Sequence, residues 1–276
     1  MITYAVRRLL GSVPVVLIGV TLTFFLIYLA PGDPTLKFLD PSLGAPLQAQ
    51  IAENFGLNRP VHVQYLSWLG RVVGHFDFGH SFRSGRPASR IVLTALPPTI
   101  LVTGLGLLGG LILGMAGGIV SALLRGKRTD RWVTAVMLFF YSMPAFWLGM
   151  ILLGLFALKL QWLPAAHLTS VFHDQLTPLG KAVDTARHIF LPVVTLSLIS
   201  AAAFGRYVRS GLIEAMASDY VLAARARGVP QGKLVLNYGI RNALIPLITV
   251  AGMTFPVLFS GAVVIEVISP FPGWGG

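Results

Sequence analysis

The segment AARARGVPQGKLVLNYGIRNALIPLIT, residues 223–249, starts basic, is interrupted by Gly228 and Pro230, and ends as an apolar run. The chain as a whole is strongly hydrophobic: 55% of its 276 residues are hydrophobic, only 11% are charged, and the mean hydropathy is +0.76. Soluble domains carry about a quarter charged residues. The composition therefore predicts a protein with several membrane spans, and we expect the basic segment to lie outside the lipid.

The charge balance and the absence of cysteine exclude several other classes of protein. A net charge of +11 would suggest nucleic acid in a soluble protein. Here the charges lie in short segments between apolar runs, which is how membrane topology is encoded, so we expect no nucleic-acid partner. Without cysteine there are no disulfides, catalytic thiolates or Cys-ligated metals. The histidines lack metal-ligand spacing, and metal binding in the external loop is only a minor alternative.

The apolar runs predict membrane-crossing helices of about 20 residues each. Lipid offers no hydrogen-bond partners to the backbone, and these runs do not alternate as barrel strands do. The first run follows Arg7 and Arg8, but it is longer than a signal peptide's apolar core and no small-x-small site follows, so we expect a retained span. The five charge-free runs that are long enough, or nearly so, are Leu9–Leu29, Pro97–Leu124, Trp132–Leu158, Ile189–Gly205 and Ala243–Ile265.

The distribution of Lys and Arg sets the orientation of this all-α polytopic bundle. More than half of the 21 basic residues lie in segments 1–8, 125–131 and 206–242. Positive residues concentrate on the cytoplasmic side, so we expect a cytoplasmic N-terminus. Five spans then end the chain outside, at the turn-like sequence PFPGWGG, and we expect a sixth helix to be missing.

Three regions follow from this topology. They are an N-terminal segment with the first helix (1–30), an external loop (31–96), and a core transmembrane domain (97–276) that contains a cytoplasmic loop (206–242).

Small residues and prolines stand out within the predicted spans. Gly106, Gly110, Gly114 and Gly118 recur every four residues and so share one helix face. Small faces let helices approach closely in lipid. The glycine face is expected either to pack within the chain or to form a seam with a second subunit. Prolines are expected to interrupt or kink the spans at Pro14, Pro144, Pro192, Pro246 and Pro256.

The five runs contain no Asp, Glu, Lys, Arg or His. Proton-coupled pumps and voltage sensors need buried ionisable groups, and an intramembrane hydrolase needs one beside its nucleophile. The sequence Gly228–Lys233 has the wrong spacing for a phosphate-binding loop. We therefore expect a non-enzymatic transport protein that draws its energy from elsewhere. The alternatives are an ion-coupled secondary transporter or channel, and a membrane enzyme.

The basic segment itself predicts a short helix at the cytoplasmic surface. Asp219 is expected to cap a helix from Tyr220 to Arg227, which Gly228 and Pro230 end. A second helical piece, Lys233 to Asn242, leads back to the membrane. The helix would fit a groove on a soluble partner, or its arginines would meet anionic lipid. The residues expected on its surface are Tyr220, Val221, Ala223, Ala224 and Ala226, beside Arg225 and Arg227.

Residues 219–249 resemble the cytoplasmic coupling loop, or EAA loop, of ABC-importer permeases. The likeness is greatest to the first of the two permease subunits in the dipeptide/oligopeptide branch. Leu222 stands where the general motif has Glu, Asn58 replaces a usual Asp, and Phe76 a usual Gly. Gly228 lies 18 residues before Pro246, as in the peptide importers. Further matching pieces are APGDP (30–34), FGLNRPVHVQYLSWL (55–69), FDFGHSF (76–82), LPPTILV (96–102) and FPGWG (271–275).

The resemblance implies a type I ABC importer permease fold in a bacterial or archaeal plasma membrane. It implies a second permease subunit, two cytoplasmic ATPases that carry ATP and Mg, and an extracytoplasmic solute-binding protein, with no cofactor on this chain. The expected solutes are dipeptides or oligopeptides, although similar permeases carry nickel, glutathione or sugars. The residues that it assigns to ATPase coupling are Asp219, Tyr220, Val221, Ala223, Ala224, Arg225, Ala226, Arg227, Gly228, Arg241, Asn242 and Pro246.

Overall fold

The computed structural model describes residues 2–29, 59–79, 81 and 86–268, and the regular elements of this part of the chain are helices. The predicted all-α class is confirmed. Turns of π-helix, Leu153–Lys159 and Leu234–Ile240, extend α5 and lead into α8. Short helical turns also occur at His173–Gln175 and Gln231–Lys233. The described α-helices of eight or more residues are α1 Ile2–Leu29, α2 Val61–His75, α3 Ala88–Leu123, α4 Arg128–Ser142, α5 Ala145–Leu152, α6 Pro178–Met216, α7 Asp219–Ala226 and α8 Arg241–Ile268.

The chain divides into two compact units, residues 1–92 and 93–276. In the first unit, the ring of Phe24 on α1 lies 5.3 Å from that of Tyr65 and 5.8 Å from that of Trp68, both on α2. The hydroxyls of Thr21 and Tyr65 share a hydrogen bond of 2.6 Å. The predicted external loop 31–96 thus contains helix α2 and the first turns of α3. The pieces APGDP and FPGWG and residue Asn58 lie outside the described residues.

Among the described residues, four helices are long and apolar enough to cross a membrane, and they correspond to the first, second, fourth and fifth predicted spans. The predicted third span, Trp132–Leu158, is interrupted at Pro144, as predicted for that proline. It consists of α4 and the extended α5, bent by 102° relative to each other. Pro144 has no amide hydrogen to donate, and it forces Met143 into an extended conformation (φ −82°, ψ 133°), which ends α4.

The other prolines do not interrupt their helices. Pro14, Pro192, Pro246 and Pro256 each lie inside a continuous helix, so they do not break their spans, and the kinks expected there stay a prediction. Each proline removes one backbone donor, and a membrane helix tolerates that loss when neighbouring groups satisfy the freed carbonyl. Pro144 differs because it starts the next helix, as the residue just before α5.

Helix α6 is the centre of the second unit. In its most apolar 18-residue window 61% of the residues are buried, compared with 28% for α3 and 22% for the segment that contains α8. This burial positions the C-terminal end of α6, from which the basic segment continues. Two clusters of buried apolar side chains join α6 to α3 and α8: Val102, Ile189, Leu196 and Leu258 in one, and Phe204, Val208, Leu247 and Ala251 in the other.

The glycine face of α3 packs against α6. A Cβ added at Gly114 would lie 2.7 Å from the Cβ of Phe204 and 2.8 Å from the carbonyl oxygen of Ala201. Added Cβ atoms at Gly106, Gly110 and Gly118 would similarly meet α6 within 3 Å. Of the two alternatives for this face, the structure places it in packing within the chain.

We predict that Gly114→Ala destabilises the second unit, because the new methyl group meets backbone atoms of α6 that cannot move aside. The expected loss is about 1–3 kcal/mol, the usual cost of overpacking, measured as a lower thermal unfolding midpoint. Gly104→Ala on the same helix is the control, since no atom lies within 4 Å of its added Cβ. Equal midpoints for the two variants would contradict the packing role.

Phe76 adopts a backbone conformation that favours glycine. It follows α2 with φ 53° and ψ 29°, and its side chain is exposed. A left-handed conformation costs a residue with a Cβ about 1–2 kcal/mol. The resemblance described above implies Gly at this position, and Gly would adopt this conformation without that cost.

We predict that Phe76→Gly stabilises the end of α2 by about 1 kcal/mol, because the left-handed strain is relieved. The amides of Phe76 and Asp77 bond the carbonyls of Val72 and Arg71, and they should exchange with solvent more slowly. Phe78→Gly removes an exposed phenylalanine nearby without relieving a positive φ, and it should give no such protection.

Candidate functional site

The basic segment begins where α6 ends, and α7 starts one residue earlier than the sequence suggested. Ser218, with an extended backbone (ψ 152°), occupies the N-cap position, and no side chain caps the helix. The predicted cap at Asp219 is therefore wrong, because Asp219 is already in the first helical turn. Its carboxylate there favours the helix through the positive end of the helix dipole. The Ser218 hydroxyl donates instead to the carbonyl of Ala215.

Gly228 ends α7 with a Schellman motif. Its φ of +81° is in the left-handed region, where glycine carries no Cβ penalty. The Gly228 amide donates to the carbonyl of Arg225 at 2.9 Å, and the Val229 amide donates to that of Ala224 at 3.2 Å. Val229 also packs against the buried cluster that includes Ala224. The glycine thus turns the chain sharply and keeps the last carbonyls of α7 satisfied.

One face of α7 is anchored on its own chain. Val221 and Ala224 are fully buried against Leu234, the first residue of the π-helical turns. They lie three residues apart and so on one side of the helix. The expectation that both are displayed to a partner is therefore wrong. The partly buried residues that complete this cluster are Met216, Val229 and Tyr238.

The opposite face of α7 is exposed. Ala223 and Ala226 leave it shallow, and Leu222, which sequence reasoning treated only as a departure from a motif, adds a half-exposed apolar side chain. The spacing of Leu222 and Ala226, four residues apart, is the signal that could have revealed it. No carboxylate in the described part of the chain pairs with Arg225 or Arg227. The exposed residues are Tyr220, Leu222, Ala223, Arg225, Ala226, Arg227 and Gly228.

A side-chain contact fastens α7 to the start of α8. The side-chain amide nitrogen of Asn242, Nδ2, donates to the hydroxyl of Tyr220 at 2.7 Å and to the backbone carbonyl oxygen of Tyr238 at 2.7 Å. The Tyr220 and Tyr238 rings stack with centroids 6.4 Å apart. The structure thus brings together Tyr220 and Asn242, while Arg241 and Pro246 lie exposed on the first turns of α8 outside this contact.

A second polar cluster fixes α6 a short distance before α7. The guanidinium of Arg209 donates to both carboxylate oxygens of Asp130, at 3.1 and 3.0 Å, and to the hydroxyl of Ser121 at 2.9 Å. The Gly126 amide donates to the same carboxylate at 3.0 Å. Asp130 is buried, and a buried carboxylate needs such a set of partners. Sequence reasoning missed this cluster, although Asp130 is the only acid in segment 125–131.

The sequence comparisons identify the family. The profile described as "Binding-protein-dependent transport system inner membrane component" matches residues 114–276, and its N-terminal companion matches residues 1–103. The oligopeptide transport system permease protein AppB of Bacillus subtilis is 34% identical over 277 residues. The glutathione transport system permease protein GsiC is 34% identical in Salmonella typhimurium and 32% identical in Escherichia coli K12. Each alignment covers 100% of this chain and 85% of the relative.

These matches define a class, the inner-membrane components of binding-protein-dependent transport systems. Within that class, the chain belongs to the ABC-importer permeases of the peptide-transport family. The family and the inner-membrane location predicted from the sequence are confirmed, and the helical structure is consistent with the type I importer permease fold. The relatives are named as permeases, so this chain is a transport component. In the described residues no group of three or more His, Asp or Glu could hold a metal ion.

We predict that Tyr220→Phe loosens α7 from α8, because Asn242 loses the acceptor that joins the two helices. Loss of one hydrogen bond is worth about 1 kcal/mol, or roughly a fivefold faster amide exchange over residues 219–228. Tyr238→Phe is the matched control, since it removes a hydroxyl for which the described structure records no hydrogen bond. If the amides of both variants exchanged at the parental rate, the hydrogen bond between Asn242 and Tyr220 would not stabilise the attachment of α7 to α8.

Proposed function

We propose that this chain is one of two permease subunits that form the translocation path of an ATP-driven importer. The solute arrives from an extracytoplasmic binding protein, and ATP with Mg is hydrolysed on two cytoplasmic ATPase subunits. The observation that carries the proposal is the two-faced helix α7. Its inner face is fixed by the buried Val221 and Ala224. Its outer face carries small side chains and two arginines that form no ion pair within the described residues.

The attachments of α7 suit a helix that transmits the movement of a bound partner to the membrane-spanning helices. It is connected directly to α6, the buried centre of the second unit, and it is tied to α8 through Tyr220 and Asn242. A displacement of α7 would therefore move both helices rather than only a surface loop. Interdomain grooves commonly receive short helices, and Ala223 and Ala226 would let such a groove approach the backbone closely. These features favour a protein partner over lipid for this face.

The proposed solute class is short peptides, including peptide-like molecules such as glutathione. The support is the naming of the relatives, which are permeases of oligopeptide and glutathione transport systems. The alternative, an ion-coupled secondary transporter or channel, would work without an ATPase. Uptake by the reconstituted permease pair in the absence of any ATPase would establish that alternative and overturn the proposal.

The test reverses two charges on the exposed face of α7. We predict that Arg225→Glu with Arg227→Glu lowers co-purification of the ATPase subunits at least tenfold and abolishes ATP-dependent uptake. Both side chains are exposed, so the fold of the chain should survive. The matched control is Arg125→Glu with Lys127→Glu, which reverses two charges that are also exposed, in the segment 125–131. ATPase binding and uptake at parental levels in the α7 variant would contradict the proposed coupling.

A further inference from the structure

The first turns of α4 carry an open recess of about 470 Å³ that has no part in the proposed coupling. It is lined by Arg128, Arg131, Trp132 and Ala135. These residues lie at i, i+3, i+4 and i+7, so they share one face of the helix. Both arginines are exposed, and the Trp132 side chain is 72% exposed, which is unusual for so large an apolar group. The recess therefore combines two cations and an uncovered indole.

The positive charge of this recess is not neutralised by the part of the chain that the structure describes. Asp130, the acid of this segment, is turned inward and held by Arg209 and by the Gly126 amide. In the described part of the chain, no carboxylate forms an ion pair with Arg128 or Arg131. Two guanidinium groups separated by one helical turn match a phosphate, which arginine binds through paired hydrogen bonds.

The same helix face supplies an apolar surface beyond the recess. Val136 and Phe139 lie one and two turns further along α4 and are 51% and 57% exposed. The basic end of α4 belongs to a cytoplasmic segment by the distribution of positive charge, and tryptophan prefers the level of the lipid headgroups. A ligand that satisfies both parts has an anionic head and a hydrocarbon tail. A free anion would use the arginines but leave the apolar surface uncovered.

We infer that Arg128, Arg131 and Trp132 form a binding site for an anionic phospholipid of the cytoplasmic leaflet. The phosphate lies between the two guanidinium groups, Trp132 packs against the glycerol region, and an acyl chain follows Ala135 and Phe139. The site is independent of the coupling proposed for α7, because none of its residues belongs to that helix. A single lipid molecule would thus contact both the exposed aromatic residues and the exposed basic residues of α4.

The test uses the intact transporter in nanodiscs of phosphatidylcholine with a minor fraction of phosphatidylglycerol. Lipids retained after gentle detergent extraction are counted per permease by mass spectrometry. We expect the parent to retain phosphatidylglycerol selectively, and Arg128→Gln with Arg131→Gln to lower that retention at least tenfold. The charge-matched control is Arg125→Gln with Lys127→Gln, which should change retention less than twofold. Trp132→Ala, which keeps both charges, should lower it about threefold or more.

Three outcomes would overturn the site. Equal retention of the neutral and anionic lipids would show only a non-specific lipid shell. A comparable loss in the control would show a diffuse charge effect in place of a defined site. Displacement of phosphatidylglycerol by millimolar inorganic phosphate would show a site for a free anion. The presence of the ATPase and sister permease subunits in each variant serves as the check that the complex is intact.

Discussion

The close contact between α3 and α6 is the constraint on which the rest of the second unit depends. Four glycines spaced one turn apart bring the backbones so near that an added methyl group at Gly114 would meet the carbonyl of Ala201. In lipid, where apolar side chains gain little by leaving the solvent, such close packing is the main source of helix association. This contact holds α6 against α3, and α7 follows directly after the end of α6.

Helix α7 is stabilised by its contacts with the rest of the second unit. Eight residues form too short a helix to be stable alone, and α7 persists because Val221 and Ala224 are buried and Gly228 closes its end. The contact between Tyr220 and Asn242 adds a second attachment. A helix attached at both places is linked to α6 and α8, which is what the coupling proposed above requires.

The sequence predicted the helical class, four spans as continuous helices, the interruption at Pro144 and the end of α7, while the orientation in the membrane stays a prediction. It failed where the outcome depended on three-dimensional neighbours. Composition could not distinguish Pro144, which breaks a span, from Pro192, which lies inside α6, because both stand in equally apolar runs. Nor could it separate the buried Val221 from the exposed Leu222, because the position of Leu234 decides which side of α7 is covered.

The separation of the two faces of α7 has an evolutionary consequence. Val221 and Ala224 hold the helix in place, whereas Leu222, Ala223, Arg225 and Ala226 are exposed, so these exposed positions can drift without unfolding the helix. Under the proposed coupling, a lineage could exchange one ATPase for another by altering a few exposed positions, while Val221, Ala224 and Gly228 stay unchanged. Duplicated transporters can thereby diverge in partner choice while keeping the same membrane body.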